Sequence, residues 1–197
     1  MTENTEAGGG RRGNRWRIAA WAAAALILLL PLFAMQVTDQ VDWDVADFAI
    51  FGALLVGVGV TFELAVKQSG KSAHRWAFGV ALAGAFLLFW VNGAVGIIGA
   101  AGDDANLMYY GVLAVGIIGA IVARLQPHGM ARTLLAMALA QTLVAVIALV
   151  AGLGAPLSGP VEILILNGFF VALFVGSAWL FLHAARAQPP AGAGPEG

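Results

Sequence analysis

Six predominantly apolar segments dominate this chain and leave it few folds to adopt. They run over about 18–37, 45–66, 76–100, 107–124, 133–153 and 162–184. Each is near the roughly 20 residues a helix needs to cross about 30 Å of hydrocarbon. None alternates apolar and polar over about ten residues, as the strands of a membrane barrel do. In lipid, backbone N–H and C=O groups must be satisfied within the segment, and a helix does this. Composition agrees. Of 197 residues, 60% are hydrophobic and 11% charged, against about 25% charged in a soluble domain. A water-soluble fold of this size has no core large enough to hide so much apolar surface. The expected fold is therefore all-α: an integral membrane bundle of about six transmembrane helices in one domain, 16–187. The polar, Gly-rich stretches 1–15 and 188–197 are expected to be disordered cytoplasmic tails.

The connections carry helix-ending chemistry. Gly102-Asp103-Asp104, Gln126-Pro127-His128-Gly129 and the stretch from Pro156 to Pro160 each interrupt the apolar pattern. Pro160 suits a first helical position, and Glu162 suits the positive end of the helix dipole. Pro31 falls inside the first segment and is expected to kink it.

Charge sets the expected orientation. All ten basic residues fall in alternate regions: Arg11, Arg12, Arg15 and Arg17; Lys67, Lys71 and Arg75; Arg124 and Arg132; and Arg186. The intervening regions carry Asp39, Asp42, Asp44, Asp103 and Asp104, with Asp47 and Glu162 just inside helix starts. The positive-inside rule puts the basic side, and both termini, in the cytoplasm. Trp16, Trp43, Trp76, Tyr109, Tyr110 and Trp179 lie near segment ends, where aromatic belts form. A basic stretch before an apolar run also begins a signal peptide. However, Pro31–Gln36 has no small-x-small cleavage site, so the first helix is expected to be retained.

No catalytic, cofactor or metal signature stands out. The chain has no cysteine, which excludes disulfides, thiolate metal sites and cysteine nucleophiles. A net charge of −1 gives no general affinity for nucleic acid. His74, His128 and His183 all lie towards the expected cytoplasmic face, where scattered interfacial histidines are commoner than a three-His metal site. Ser177 has no His or Asp at its depth and is no nucleophile.

The polar residues inside the segments are the remaining handle. Glu63 has Lys67 four residues on, the favourable order for a helical ion pair at a membrane edge. Asp47, Asn92 and Asn167 fall in the outer half of three segments, and Gln141 lies near the middle of the fifth. Asp47, Asn92 and Asn167 either line a hydrated vestibule or form a dry seam of interhelical hydrogen bonds, and the seam is the expected arrangement. Small-xxx-small pairs at Gly79/Ala83, Gly96/Ala100 and Gly116/Ala120 allow close helix approach. The Gly/Ala-rich faces suit the lipid bilayer, a membrane-protein partner or a second copy of the chain. The heptapeptide AVGIIGA occurs at 94–100 and at 114–120. The two copies differ in expected depth and do not indicate an inverted repeat.

Several stretches together carry a resemblance: Trp43-Asp-Val-Ala-Asp47-Phe48, Thr61-Phe-Glu63-Leu64, Trp90-Val-Asn92-Gly-Ala-Val-Gly-Ile-Ile98, Ala105-Asn106-Leu107-Met108-Tyr109, Gly129-Met130-Ala131 and Ala140-Gln141. Over about 40–150 the chain resembles a group of small uncharacterised bacterial polytopic inner-membrane proteins with no known activity. The resemblance implies a bacterial cytoplasmic-membrane setting and carries no function. The function expected from the whole sequence is a non-catalytic accessory or assembly subunit. The alternative is a small-solute or ion permease with an outer-half polar vestibule. A membrane enzyme has no constellation to support it.

Overall fold

The computed structural model describes residues 7–38, 41–68 and 72–186, with side chains from residue 17. They form α1 (Ala7–Val37), α2 (Val45–Gln68), α3 (Ser72–Ala94), a 3-10 turn at Asp104–Asn106, α4 (Leu107–Ala123), α5 (Pro127–Val150) and α6 (Pro160–Arg186). Six helices are long and apolar enough to cross a membrane. The chain is an all-α, multi-pass membrane protein. Apolar side chains such as Val122, Leu139, Val150 and Ile165 are exposed along the helices, as a lipid solvent requires.

The chain divides into two compact units, up to Thr61 and from Phe62 onward. In the first, Trp21 packs over Gly59, where an added Cβ would come within 2.9 Å of the indole. α1 begins at Ala7 and continues through Pro31. The helix thus takes in residues 7–15, which composition assigned to a disordered tail; extending a formed helix by about two to three turns is cheap once it is nucleated. Residues 1–6 and 188–197 of the expected tails, and Asp39 of the acidic loop, lie outside the described residues.

The start of α2 explains the density of acid there. Asp44 N–H donates to Asp47 Oδ2 at 3.0 Å, and Asp47 N–H donates to Asp44 Oδ1 at 2.9 Å. This reciprocal pair is a capping box, with Asp44 as N-cap and Asp47 three residues on. Trp43, just before the cap, packs edge-on against Phe48 at 5.3 Å, the hydrophobic staple that accompanies such a box. Trp-Asp-Val-Ala-Asp-Phe is therefore a helix-start motif, and the Asp47 carboxylate is exposed at the cap.

In the second unit, α3, α4, α5 and α6 pack in chain order, and α6 closes the ring against α3. Paired positions run in opposite directions on neighbouring helices. Gly119 meets Thr133 while Gly116 meets Met137, and Ser177 meets Ala77 while Phe174 meets Gly84. The unit is an up-down-up-down four-helix bundle. Its core holds Phe78, Leu88, Leu134, Phe170, Phe174 and Phe181. The close-packing rows differ in part from those expected. Gly116 does face a neighbour, with Met137 Sδ 2.7 Å from a built Cβ, but Gly79 faces open space. Gly96 is not helical at all: it sits in a loop at φ +82°.

That loop is the largest departure from expectation. The helix expected to run to 100 ends at Ala94, and residues 95–103 are irregular. Yet Ile97 and Ile98 are buried at 1% and 0% exposure. The chain folds back into the end of the bundle instead of leaving it. At Gly96 an added Cβ would lie 2.6 Å from the Ala100 carbonyl carbon, so only glycine fits that turn.

Candidate functional site

Two polar networks lie inside the second unit. The first holds the folded-back loop. Asn106 is buried at the foot of α4, and its side chain is fully used. Oδ1 accepts the N–H groups of Ile97 and Ile98, each at 3.0 Å. Nδ2 donates to the Ile98 carbonyl at 3.1 Å and the Ala100 carbonyl at 2.7 Å. A carboxamide offers two lone pairs and two protons, and all four are spent on backbone that a helix would have satisfied itself. Asn92 Nδ2 then donates to the Asn106 carbonyl at 3.2 Å. Gly99 N–H donates to Ser158 Oγ at 3.0 Å, tying this loop to the α5–α6 connection.

The second network joins three helices. Asn167 Oδ1 on α6 accepts the Tyr109 hydroxyl of α4 at 3.1 Å and Gln141 Nε2 of α5 at 3.0 Å. Asn167 Nδ2 donates to the Ile163 carbonyl one turn back at 2.8 Å. This last bond fixes the orientation of the amide, because a carbonyl only accepts. Tyr109, Gln141 and Asn167 are all buried.

Asp47, Asn92 and Asn167, the seam or vestibule candidates, divide between the two units. Asp47 belongs to the first unit and caps α2. Asn92 and Asn167 belong to the second, each in a different network. With α3 ending at Ala94, Asn92 lies in its last turn, not about two turns in. Glu63 is half-buried, with Lys67 exposed. A shallow depression of about 510 Å³, lined by Gly159, Val161, Glu162, Ile165 and Leu166, includes neither Asn92 nor Asn167.

No family model, curated protein or solved structure matches the chain. The site must therefore be read from its own chemistry. Side chains that donate to and accept from one another across helices hold those helices together. The Ser177 hydroxyl fits this pattern, donating to the Ala77 carbonyl at 2.8 Å and pinning α6 to α3. Among the described residues, no three His, Asp or Glu side chains converge with metal-binding spacing. His74 is not at the surface. It is buried, with its ring 4.9 Å from Phe78 and 5.7 Å from Phe181.

Asn106, Tyr109 and Ser158 were not marked as site candidates by sequence. Tyr109 read as a belt aromatic because it follows a helix start, but it points inward while Tyr110 is exposed. Asn106 read as loop. The signal that would have found it is an Asn just before a helix, preceded by glycines able to take positive φ.

Proposed function

We propose that this chain is a non-catalytic accessory or assembly subunit of the bacterial inner membrane, with both termini in the cytoplasm. The observation that carries the reading is the use of the buried polar side chains. Tyr109 and Gln141 both donate to Asn167 across three helices, and the Asn106 side chain spends all its capacity on the chain's own backbone. Such bonds rigidify a scaffold. A permease keeps polar groups for its solute and usually places an ionisable group near the midplane. Small residues on open helix faces, among them Gly79, Gly111 and Gly168, give a partner helix or a second copy room for close approach.

The permease reading is the alternative. Its support is that Asn92 Oδ1 and Gln141 Oε1 are buried without a hydrogen-bond partner among the described residues. One experiment separates the two. Purification of the tagged chain from its native membrane in mild detergent is expected to bring down a stoichiometric membrane-protein partner. Proteoliposomes of the pure chain are expected to show no flux of ions or small neutral solutes above empty vesicles. Specific, saturable flux without a partner would replace the accessory reading with the permease.

A further inference from the structure

The two ends of the Gln141 amide meet different fates. Nε2 donates to Asn167 Oδ1 at 3.0 Å. Oε1, equally buried, has no partner among the described residues. Turning the amide round does not help. Asn167 is held by its bond to the Ile163 carbonyl, so it presents oxygen to Gln141, and only the Gln141 NH₂ can answer it. A bare acceptor in a low-dielectric interior is costly. The usual remedy is an internal water with at least two polar partners.

Tyr109 provides the second partner. Its hydroxyl spends its proton on Asn167 Oδ1 at 3.1 Å and keeps its lone pairs. Tyr109 Oη and Gln141 Nε2 bond the same oxygen, so the phenol and the Gln141 amide meet at one point of the buried junction. Two acceptors, Gln141 Oε1 and the Tyr109 hydroxyl oxygen, select a small ligand with two protons to give, and the second proton of the Gln141 NH₂ remains to bond such a ligand in return.

We propose that α4, α5 and α6 enclose a water-binding site in which one molecule donates to Gln141 Oε1 and to Tyr109 Oη. The water completes the hydrogen bonding of the three-helix junction. The site needs no partner subunit and no passage to either face, so it stands apart from the accessory reading.

Infrared spectroscopy of the full chain in lipid tests this. The sequence has six glutamines, at 36, 40, 68, 126, 141 and 188. With glutamine labelled by ¹³C at the side-chain carbonyl, subtracting the Gln141→Met spectrum isolates the Gln141 band; Gln141→Asn serves if the Met variant does not fold. The band is expected at the lower frequency of a hydrogen-bonded amide, and is expected to rise in Tyr109→Phe, where the water loses its second partner. The lost Tyr109–Asn167 bond acts in the opposite direction, since Gln141 Nε2 then donates to a less shared oxygen. A Gln141 band at the position of a bare carbonyl overturns the proposal. So does a bonded band that Tyr109→Phe leaves unmoved or lowers.

Discussion

Asn106 and Ile98 bond each other in both directions: the Ile98 N–H donates to Asn106 Oδ1 at 3.0 Å, and Asn106 Nδ2 donates back to the Ile98 carbonyl at 3.1 Å. One side chain thus stands in for a stretch of backbone and lets the chain turn back into the bundle. Asn106→Leu leaves the N–H groups of Ile97 and Ile98 buried and unpaired. Each costs about 1–3 kcal/mol, so the expected loss is at least about 2 kcal/mol. Asn106→Asp keeps the acceptor but loses both donors, and is expected to do no better. Thermal unfolding in detergent, followed by circular dichroism, measures both.

At the three-helix junction the expected order is Asn167 well above Tyr109. Tyr109→Phe removes one interhelical bond, worth about 0.6 kcal/mol in a membrane bundle. Asn167→Leu removes two and strands the Tyr109 hydroxyl and the Gln141 amide, for about 2 kcal/mol. The effects are expected to be non-additive in the double variant, since both act through Asn167 Oδ1. Equal losses from the two single variants would show that Asn167 is not the hub.

The glycines are expected to separate into two groups. Gly79 faces open space, so Gly79→Ala is expected to stabilise α3 by up to about 1 kcal/mol through helix propensity. At Gly129 an added Cβ would meet Ala123 Cβ at 2.6 Å and Cα at 3.0 Å. Neither atom is the end of a flexible side chain. Gly129→Ala is expected to destabilise the α4–α5 turn by about 1–3 kcal/mol. Melting temperatures of the two variants, measured side by side, decide this.

A seam and a vestibule differ in access. The chain has no native cysteine, so Asn92→Cys and Asn167→Cys report without background. Both positions are buried and are expected to resist a membrane-impermeant thiol reagent in intact cells, while a cysteine at exposed Asp103 reacts. Rapid labelling at 92 and 167 would move the permease reading to first place.

The proposed orientation has its own check. A phosphatase fused after Gly102 is expected to be active, and one fused after Gln126 inactive. The reverse pattern, or activity at both, would remove the model with both termini in the cytoplasm.

Helix number was legible because apolar length against a bilayer is a local property of sequence. Where a segment stops was less so, and the two copies of AVGIIGA show why. At 114–120 the heptapeptide is helical, with Ile117 and Ile118 each 62% exposed; at 94–100 it leaves the helix after Ala94 and forms a loop with both isoleucines buried. In the helix, Gly116 and Gly119 give Met137 and Thr133 room to approach. In the loop, the matching Gly96 and Gly99 take φ of +82° and +68°. The deciding residue is Asn106, outside the heptapeptide, and no periodicity within those seven residues reveals it. The candidate site was legible to the same extent. Asn92, Gln141 and Asn167 were conspicuous as uncharged polar residues in apolar segments, but which of them meet depends on helix rotation, which six uniformly apolar segments do not encode. The capping box that Asp47 forms with Asp44 went unread because it ends in Asp, where Glu or Gln is the usual signature.

The closed ring of α3 to α6 has a consequence for how the chain can be cut. α6 returns to α3, with the His74 and Phe181 rings 5.7 Å apart near the start of one and the end of the other. The bundle's entry and exit therefore emerge side by side, on the same face. A short linker from Arg186 to Ser72 can join them, and new ends can be opened at the turn around Gln126. Such a circular permutant of α3 to α6 keeps the contacts among these four helices in place while changing the order in which they are made.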